Sequence, residues 1–328
     1  MNRSAMVVLI AAAVAAAVPR PAAAWHDSGH MAITLIAYRQ LDDGQKKKVQ
    51  DVLAEHPHSK EFLTADRPDD ADKAEWVVMR AAVWPDWVRT HHKEEFHRST
   101  HHYVNLPVKR TDGATDEQLK VIADTIAGLT EPDKGGALLV EFPKRVKEVG
   151  SAEKATDRAV ALCWVLHMAG DIHMPLHAAT MLSKDSTKGD RGGNQSLVLW
   201  RGKAQNLHFI WDAGLGWEDD KGTATAYGFA DQLARDVSKR YPTTDDERKV
   251  KSVEDWAKES QALADKQVYS LDGKPIDITF DFGSPPTVGA NGVKKLPDGY
   301  EKNGRKVAEK RIALAGTRLG DVLAEALK

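Results

Sequence analysis

Apolar residues recur at three- and four-residue intervals along most of the chain, which is the spacing of one face of an α-helix. Ser28 is the expected N-cap of a first helix whose apolar positions run from Met31 to Leu41. The pattern predicts further helices over residues 45–55, 75–90, 116–128, 134–149, 154–170, 225–240, 250–268 and 303–327. Pro85 is expected to interrupt the helical stretch at 75–90.

Alternation typical of strands is scarce, with residues 276–282 as the best case and 196–200 as a second. Loops rich in Gly, Pro and Asp are expected at 183–195 and 283–300. The sequence contains no internal repeat, and no linker separates two hydrophobic cores. The sequence therefore predicts one mainly α domain.

The first residues have a different pattern. Residues 5–18 are uninterrupted apolar residues behind Arg3, and three alanines follow at 22–24. This layout predicts a secretory signal peptide over residues 1–24, cleaved after Ala24. The apolar run would rise only about 21 Å as a helix, less than the roughly 30 Å of a bilayer core, so no membrane span is expected. The mature protein, a single domain over 25–328, would begin at Trp25 and be secreted or periplasmic.

Charge and cysteine content narrow the function classes. The full chain has 46 basic and 48 acidic residues, a balance that disfavours gripping nucleic acid through a basic groove. Cys163 is the one cysteine, so no intramolecular disulfide forms. All 13 histidines lie at or before position 208, which locates the expected chemistry in the first two thirds of the chain.

A metal-binding pattern begins in the apolar stretch 159–170, where His167 is the one polar side chain. Asp171 follows His167 at i+4, on the same helical face. A lone His–Asp pair at this spacing is typical of a structural hydrogen bond, but His173 and His177 follow closely. An unpaired buried carboxylate is costly, so this cluster indicates a bound cation.

A second cluster places His208 and Asp212 at i+4 among apolar and aromatic residues. Three imidazoles with one or two carboxylates suit Zn²⁺. The zinc-protease motif H-E-x-x-H and the serine elbow G-x-S-x-G are absent from the sequence. Three further residues fit the same picture, but each has an equally good ordinary explanation when taken alone. His30 and His102 could be surface imidazoles, and Asp86 could be a solvated carboxylate.

Several ordered motifs together resemble the zinc-dependent, single-strand-specific nuclease and 3′-nucleotidase family of the S1/P1 type. They are WHDSGH at 25–30, WPD at 84–86, HYVN at 102–105, HMAGDIHMPLH at 167–177, GDRGGN at 189–194 and NLHFIWD at 206–212. The bacterial zinc phospholipases C are similar more distantly. The resemblance runs from Trp25 to the C-terminal helix and implies the α-helical fold of that family with a trinuclear zinc cluster.

The resemblance implies three zinc ions held by nine residues. The first ion would be bound by Asp86, His102, His167 and Asp171. The second would be bound by Trp25, through its free amine and its carbonyl oxygen, by His30 and by Asp171 as a bridge. The third would be bound by His177, His208 and Asp212, whereas His173 is not a ligand in the family pattern. A zinc-bridged hydroxide, oriented by Asp86 as the catalytic residue, would attack phosphorus.

The implied substrates are single-stranded DNA and RNA and 3′-nucleotides, cleaved to 5′-phosphorylated products by a monomeric enzyme. The metal ions would supply the positive charge that the acidic chain lacks. Tyr103 is a candidate for stacking on a base, and packing explains it equally well. Asn194 in the Gly-rich loop is a candidate for holding a phosphate or a base edge, and the alternative is a simple surface turn.

Two other functions stay open at this point. A phospholipase C would use a similar zinc cluster, although that family ends its last motif in H-x3-E where this chain has His208 and Asp212. An exported zinc-binding protein without catalysis is the second alternative. Hydrolysis of lipid but not of nucleotides would favour the first, and a zinc count below two would favour the second.

Overall fold

Helices carry most of the described chain, as the hydrophobic pattern predicts. The structure, a computed structural model, describes residues 25–215, 223–283 and 287–328, so the predicted signal peptide lies outside it. The long helices are α1 (Asp27–Gln40), α2 (Asp43–Ala54), α3 (Lys73–His91), α5 (Asp116–Gly128), α7 (Leu138–Ser151), α8 (Ala155–His173), α10 (Thr223–Arg240), α12 (Val253–Leu263) and α13 (Tyr300–Ala326). Short helical segments are α4 (Lys93–Phe96), α6 (Pro132–Gly135), α9 (Leu207–Phe209) and α11 (Asp245–Lys249).

The strands are short, and some of their side chains, such as Val108, Met181 and Val198, belong to the hydrophobic core. Strand β1 (Pro107–Arg110) pairs in parallel with β2 (Thr180–Ser183). Strand β3 (Ser196–Trp200) lies between β4 (Lys203–Asn206) and β7 (Thr279–Phe280), antiparallel to both. Strands β5 (Ser270–Leu271) and β6 (Lys274–Pro275) form a hairpin. The strand predicted at 196–200 is confirmed, whereas only two residues of the stretch 276–282 pair as a strand.

The start of α1 differs from the sequence prediction. Ser28 is not its N-cap, because α1 begins at Asp27 and Ser28 is fully buried in the first turn. The N-cap position is His26, whose side chain makes no capping hydrogen bond. Its backbone N–H instead donates to the carbonyl of Asp212 at 2.9 Å. This tertiary contact holds the start of α1 in place. In α2 a side-chain cap has the same role, since Asp42 and Gln45 form a capping box.

Helix α3 continues through Pro85, so the predicted interruption is wrong. A proline inside a helix removes one backbone hydrogen bond and costs about 3 kcal/mol. Tertiary packing outweighs this cost, because α3 buries the large side chains of Trp76, Met79 and Trp84. The consequence is that Asp86 lies within the helix, one residue after the proline.

Helix α8 lies at the centre of the fold and packs against α3, α7 and α13, while α1 packs against α3, α10 and α13. From Ala161 to its end at His173, every residue of α8 is buried. This explains why its sequence is apolar all round and shows that its polar residues lie inside the protein. Within the described part of the chain, no helix is long and apolar enough to cross a membrane.

The crossing of α1 and α13 depends on Gly316. A Cβ at this position would lie 2.5 Å from the Cβ of Ile36 and 3.0 Å from the carbonyl oxygen of Ile33. We expect Gly316→Ala to lower the free energy of unfolding by about 1–3 kcal/mol, because the helices must separate. Gly228 on α10 faces open space, so Gly228→Ala is the matched control and should raise it by about 0.5–1 kcal/mol. Equal effects of the two substitutions in denaturant titrations would contradict this packing.

Candidate metal centre

The buried face of α8 presents His167 and Asp171, both with no exposed surface. The Nε2 atom of His167 lies 3.3 Å from Oδ2 of Asp171, as the i+4 spacing predicts. His167 donates its Nδ1–H to the carbonyl of Ala82 at 2.7 Å, which leaves the Nε2 lone pair facing the carboxylate. The same Nε2 lies 2.9 Å from Nδ1 of His102. Two imidazole nitrogens and a carboxylate therefore converge on one point.

Asp86 approaches this point from α3. Its Oδ2 atom lies 3.9 Å from Nε2 of His167, and its Oδ1 accepts a hydrogen bond of 2.9 Å from Arg89. Burial raises the pKa of Asp86 to about 6, against the opposing effect of the Arg89 guanidinium. The four residues predicted for the first metal ion, Asp86, His102, His167 and Asp171, are thus neighbours in space.

The first residues of the described chain lie on the other side of Asp171. Trp25 is fully buried and donates its indole N–H to the carbonyl of Gly170 at 2.9 Å. The ring of His30 stacks on that of His167 at 3.9 Å, and its Nε2 lies 3.5 Å from Oδ1 of Asp171. Trp25 and His30 are thus held beside the end of α8.

Gly170 makes this close approach possible. A Cβ at this position would lie 2.7 Å from Nδ1 of His30, so a larger residue would displace that ring. The apolar sequence pattern around position 170 does not indicate this requirement. It becomes visible only when α1 is packed against α8.

A third group lies where the turn after α8 meets the segment at 206–212. His177 donates Nδ1–H to the carbonyl of His102, and His208 donates Nδ1–H to that of Gly192, at 2.6 and 2.7 Å. The two free Nε2 atoms lie 3.2 Å apart, and Oδ2 of Asp212 is 3.1 Å from Nε2 of His208. All three side chains are buried. Asp212 lies in a π-helical turn, Ile210–Gly214, rather than in the α-helix that its spacing suggests.

The buried carboxylates and neutral imidazoles of these groups favour a bound cation. Among the residues that the structure describes, none donates a hydrogen bond to the buried carboxylate oxygens of Asp171 and Asp212, and the same holds for Oδ2 of Asp86. Burial, Asp86 and Asp212 raise the pKa of Asp171 well above its usual value. Burial lowers the pKa values of His102 and His177 well below the usual value, so both rings offer neutral lone pairs. Such a set of nitrogen and carboxylate donors can hold metal ions and fits Zn²⁺.

Arg89 is a site residue that the sequence analysis does not indicate. It lies one helical turn beyond Asp86 and directs its guanidinium to that carboxylate. The sequence pattern that indicates it is the i+3 spacing of Asp86 and Arg89, which places the two side chains together on one helical face. Arg89 adds a cation beside the predicted metal ligands.

The two candidate substrate-binding residues lie in segments that also contact the metal-binding groups: Tyr103 follows His102, and Asn194 lies in the loop whose Gly192 accepts a hydrogen bond from His208. Tyr103 is half-buried and packs its ring where Gly136 lacks a Cβ. Asn194 is exposed and donates its side-chain N–H to the carbonyl of Arg191 at 2.9 Å.

His173 is separated from the metal-binding groups although it lies between Asp171 and His177 in sequence. Its Nδ1–H donates to the carbonyl of Ala169, and its Nε2 accepts a hydrogen bond of 3.2 Å from Arg318. The ring also packs 5.0 Å from that of Trp256. His173 therefore holds α8 against α12 and α13.

We expect His173→Ala to cost stability rather than metal. Loss of the ring removes buried packing and one partner of Arg318, which should lower the free energy of unfolding by about 1–3 kcal/mol. Metal content per folded chain should be unchanged. Turnover below the melting temperature should fall by less than about threefold, which corresponds to about 0.65 kcal/mol in activation free energy. Loss of a metal ion from His173→Ala in elemental analysis would show that His173 belongs to the centre.

Another histidine group, formed by His58, Glu61 and His92, also has its donor atoms close together. The indole N–H of Trp84 donates to Nδ1 of His58 at 2.9 Å, so the neutral His58 ring carries its proton on Nε2. The rings of His58 and His92 stack at 4.0 Å. His58 thus has no lone pair to offer the group, and its role is packing.

Comparison with known proteins identifies the family. The family model described as S1/P1 Nuclease matches residues 25–328. Endonuclease 2 of Arabidopsis thaliana is 26% identical over 309 residues, which cover 91% of this chain and 89% of the relative. Endonuclease 1 of the same plant is 25% identical over 57% of this chain and 52% of its own length. Nuclease S1 of Aspergillus oryzae is 35% identical over 79 residues, 24% of this chain and 25% of the relative.

The family match covers the whole described chain, and the mainly α architecture agrees with the fold that the resemblance implies. The motifs at 84–86, 102–105, 167–177 and 206–212 supply the side chains that converge in the structure. The chain belongs to the S1/P1 nuclease family, and it is a hydrolase of phosphodiester bonds in nucleic acid.

Proposed function

We propose that this chain is an exported, zinc-dependent endonuclease and 3′-nucleotidase that acts on single-stranded DNA and RNA and releases 5′-phosphorylated products. The observation that carries the proposal is the pair of buried carboxylates, Asp171 and Asp212, which accept no hydrogen bond from the described residues and are surrounded by imidazole nitrogens. A buried carboxylate in such surroundings requires a cation. Divalent cations held by such groups suit phosphodiester substrates.

In this proposal nine residues hold three zinc ions. Asp86, His102, His167 and Asp171 hold the first, and His177, His208 and Asp212 hold another. The remaining ion is held by His30, by Asp171 and by the amine and carbonyl of Trp25, once the signal peptide has been removed. The α-amino group has a pKa of about 7.7–8.0, so losing its proton to a metal near neutral pH is cheap.

Zinc ions at these positions would lower the pKa of bound water toward about 7 and withdraw charge from phosphoryl oxygens. Asp86 would hold the first ion and, through the same carboxylate, orient the attacking water; among the described residues nothing donates a hydrogen bond to its Oδ2. Arg89 fixes the other oxygen, Oδ1, and so holds the carboxylate plane in one orientation. Arg89 also places a positive charge where the phosphate would enter.

A preference for single strands follows from the recessed position of these groups. His102, Asp171 and His177 are all buried, so a scissile phosphate reaches them only if the neighbouring base leaves its stack. Leaving the stack costs less in an unpaired strand. In this proposal Tyr103, which follows His102, stacks on that base, and Asn194 holds a phosphate or a base edge.

A substrate panel on the mature protein beginning at Trp25 tests this function. We expect hydrolysis of single-stranded DNA, RNA and 3′-AMP, much slower hydrolysis of double-stranded DNA, and none of phosphatidylcholine. Treatment with EDTA should abolish all activity, and added Zn²⁺ should restore it. Lipid hydrolysis without nucleotide hydrolysis would overturn the nuclease assignment, and full activity in EDTA would overturn zinc dependence.

A further inference from the structure

Three aromatic rings stack in a row near the C-terminal end of α3. The rings of Phe62 and Trp87 lie 4.5 Å apart at an interplanar angle of 27°, and those of Trp87 and His91 lie 4.4 Å apart at 13°. Phe62 is buried, Trp87 is half-buried and His91 is exposed. The stack therefore runs from the core to the surface and ends in the imidazole ring of His91.

The His91 ring is held in place although it is exposed. Its Nδ1 lies 2.9 Å from the carbonyl oxygen of Trp87 and 3.0 Å from the hydroxyl of Thr90. A bond from Nδ1–H to the carbonyl fixes the tautomer and leaves the Nε2 lone pair as an acceptor. Exposed histidines usually lose rotamer freedom when a ligand binds, but this ring is already ordered.

The stack lies on the same helix as two residues of the candidate metal centre. His91 follows Asp86 by five residues, which corresponds to about 7.5 Å along the axis of an α-helix and about 140° around it, so the two side chains leave different sides of α3. Two cationic residues, Arg89 and Lys93, flank His91 in the sequence. A strand whose scissile phosphate lies beside Asp86 would therefore have to pass partly around α3 to reach the exposed ring of His91 and the positive charge beside it.

We propose that the outer face of His91 is a stacking subsite for an unpaired nucleobase of the substrate strand, outside the metal centre. The proposal rests on the proposed function, because it assigns part of the same substrate. Nucleobases stack on aromatic side chains with little sequence preference, since every base has a π face. The subsite would bind strands of several nucleotides and would contribute nothing to a mononucleotide.

The test compares His91→Ala and His91→Phe with the wild-type protein on 3′-AMP and on decathymidylate. We expect His91→Ala to raise KM for decathymidylate about five- to tenfold, the low end of the usual contribution of one stacked base. Its kcat, and both constants for 3′-AMP, should stay within twofold of wild type. His91→Phe keeps a flat ring on Trp87 and should restore the wild-type KM.

Binding of a phosphorothioate-linked decathymidylate, followed by fluorescence anisotropy, separates this proposal from the proposed function. An active wild-type protein whose affinity for this strand is unchanged in His91→Ala would overturn the subsite alone. An equal loss on 3′-AMP would also overturn it, because the substitution would then act on the centre itself. If the wild-type protein hydrolyses no nucleotide, the proposed function fails, and a weaker affinity in His91→Ala would still support the subsite.

Discussion

Asp171→Asn should lower kcat/KM on single-stranded DNA by at least about a thousandfold, equivalent to some 4 kcal/mol of transition-state stabilisation. Asp171 lies within 3.5 Å of nitrogen atoms on His30, His102 and His167, so it contacts the groups proposed for two metal ions. An amide has no negative charge and is a much poorer ligand for Zn²⁺. We therefore expect loss of at least one zinc ion per chain.

The stability of the metal-free protein should change in the opposite direction. Without a cation, the carboxylate of Asp171 is buried with no hydrogen bond, and burial already raises its pKa. A neutral amide removes that cost, so Asp171→Asn in EDTA should melt at a higher temperature than the wild type in EDTA. The zinc-loaded variant should melt at a lower temperature than the zinc-loaded wild type.

Glu309→Gln on α13 is the matched control for this experiment. Glu309 is a buried carboxylate that pairs with Arg240 and Arg305, outside the metal-binding groups. The zinc content and kcat/KM of the Glu309→Gln variant should equal those of the wild type. Wild-type activity in Asp171→Asn, or equal losses in the two variants, would contradict the proposed bridge.

One additional residue before Trp25 should remove one zinc ion and lower turnover by at least about tenfold, or 1.4 kcal/mol. The extra peptide bond converts the terminal amine into an amide, whose nitrogen does not coordinate zinc. Trp25 is fully buried and tied to Gly170, so the added residue must also find space beside the centre. Zinc analysis and kinetics of proteins beginning at Ala24 and at Trp25 measure both effects.

Trp25→Phe separates the amine from the indole. It keeps the free terminus but loses the hydrogen bond to Gly170, so it should cost about 1 kcal/mol of stability and retain its zinc. A protein extended by Ala24 that is fully active and retains all its zinc would refute the terminal-ligand assignment.

Residue spacing was sufficient to predict the parts of the site that lie within one helix. The i+4 separation of His167 and Asp171 places both on one face of α8, and the apolar surroundings indicate that this face is buried. The spacing of His208 and Asp212 was equally informative, although the backbone there is a π-helical turn. A turn of either kind keeps residues four apart close together.

The long-range part of the site could not be predicted from spacing. His30, Asp86 and His102 come from three separate elements, and only the packing of α1 and α3 on α8 brings them together. The resemblance to the family supplied these residues. Periodicity alone could not have done so, because it is local, and it also predicted a break at Pro85 that tertiary packing overrides.

His173 and His177 show the same limit. They lie four residues apart in one motif, yet α8 ends at His173, and the turn Pro175–His177 redirects the chain. His173 consequently faces Arg318, and His177 faces His208. The proline marks the turn in the sequence, but the partners on each side are set by the packing of α13 and of the loop at 189–194.

The number of zinc ions per chain tests the central claim most directly. The mature protein beginning at Trp25 would be saturated with Zn²⁺, dialysed exhaustively against metal-free buffer and measured by inductively coupled plasma mass spectrometry. The nine residues that we assign predict three zinc ions per chain. A count of two or fewer in a fully folded protein would contradict the assignment.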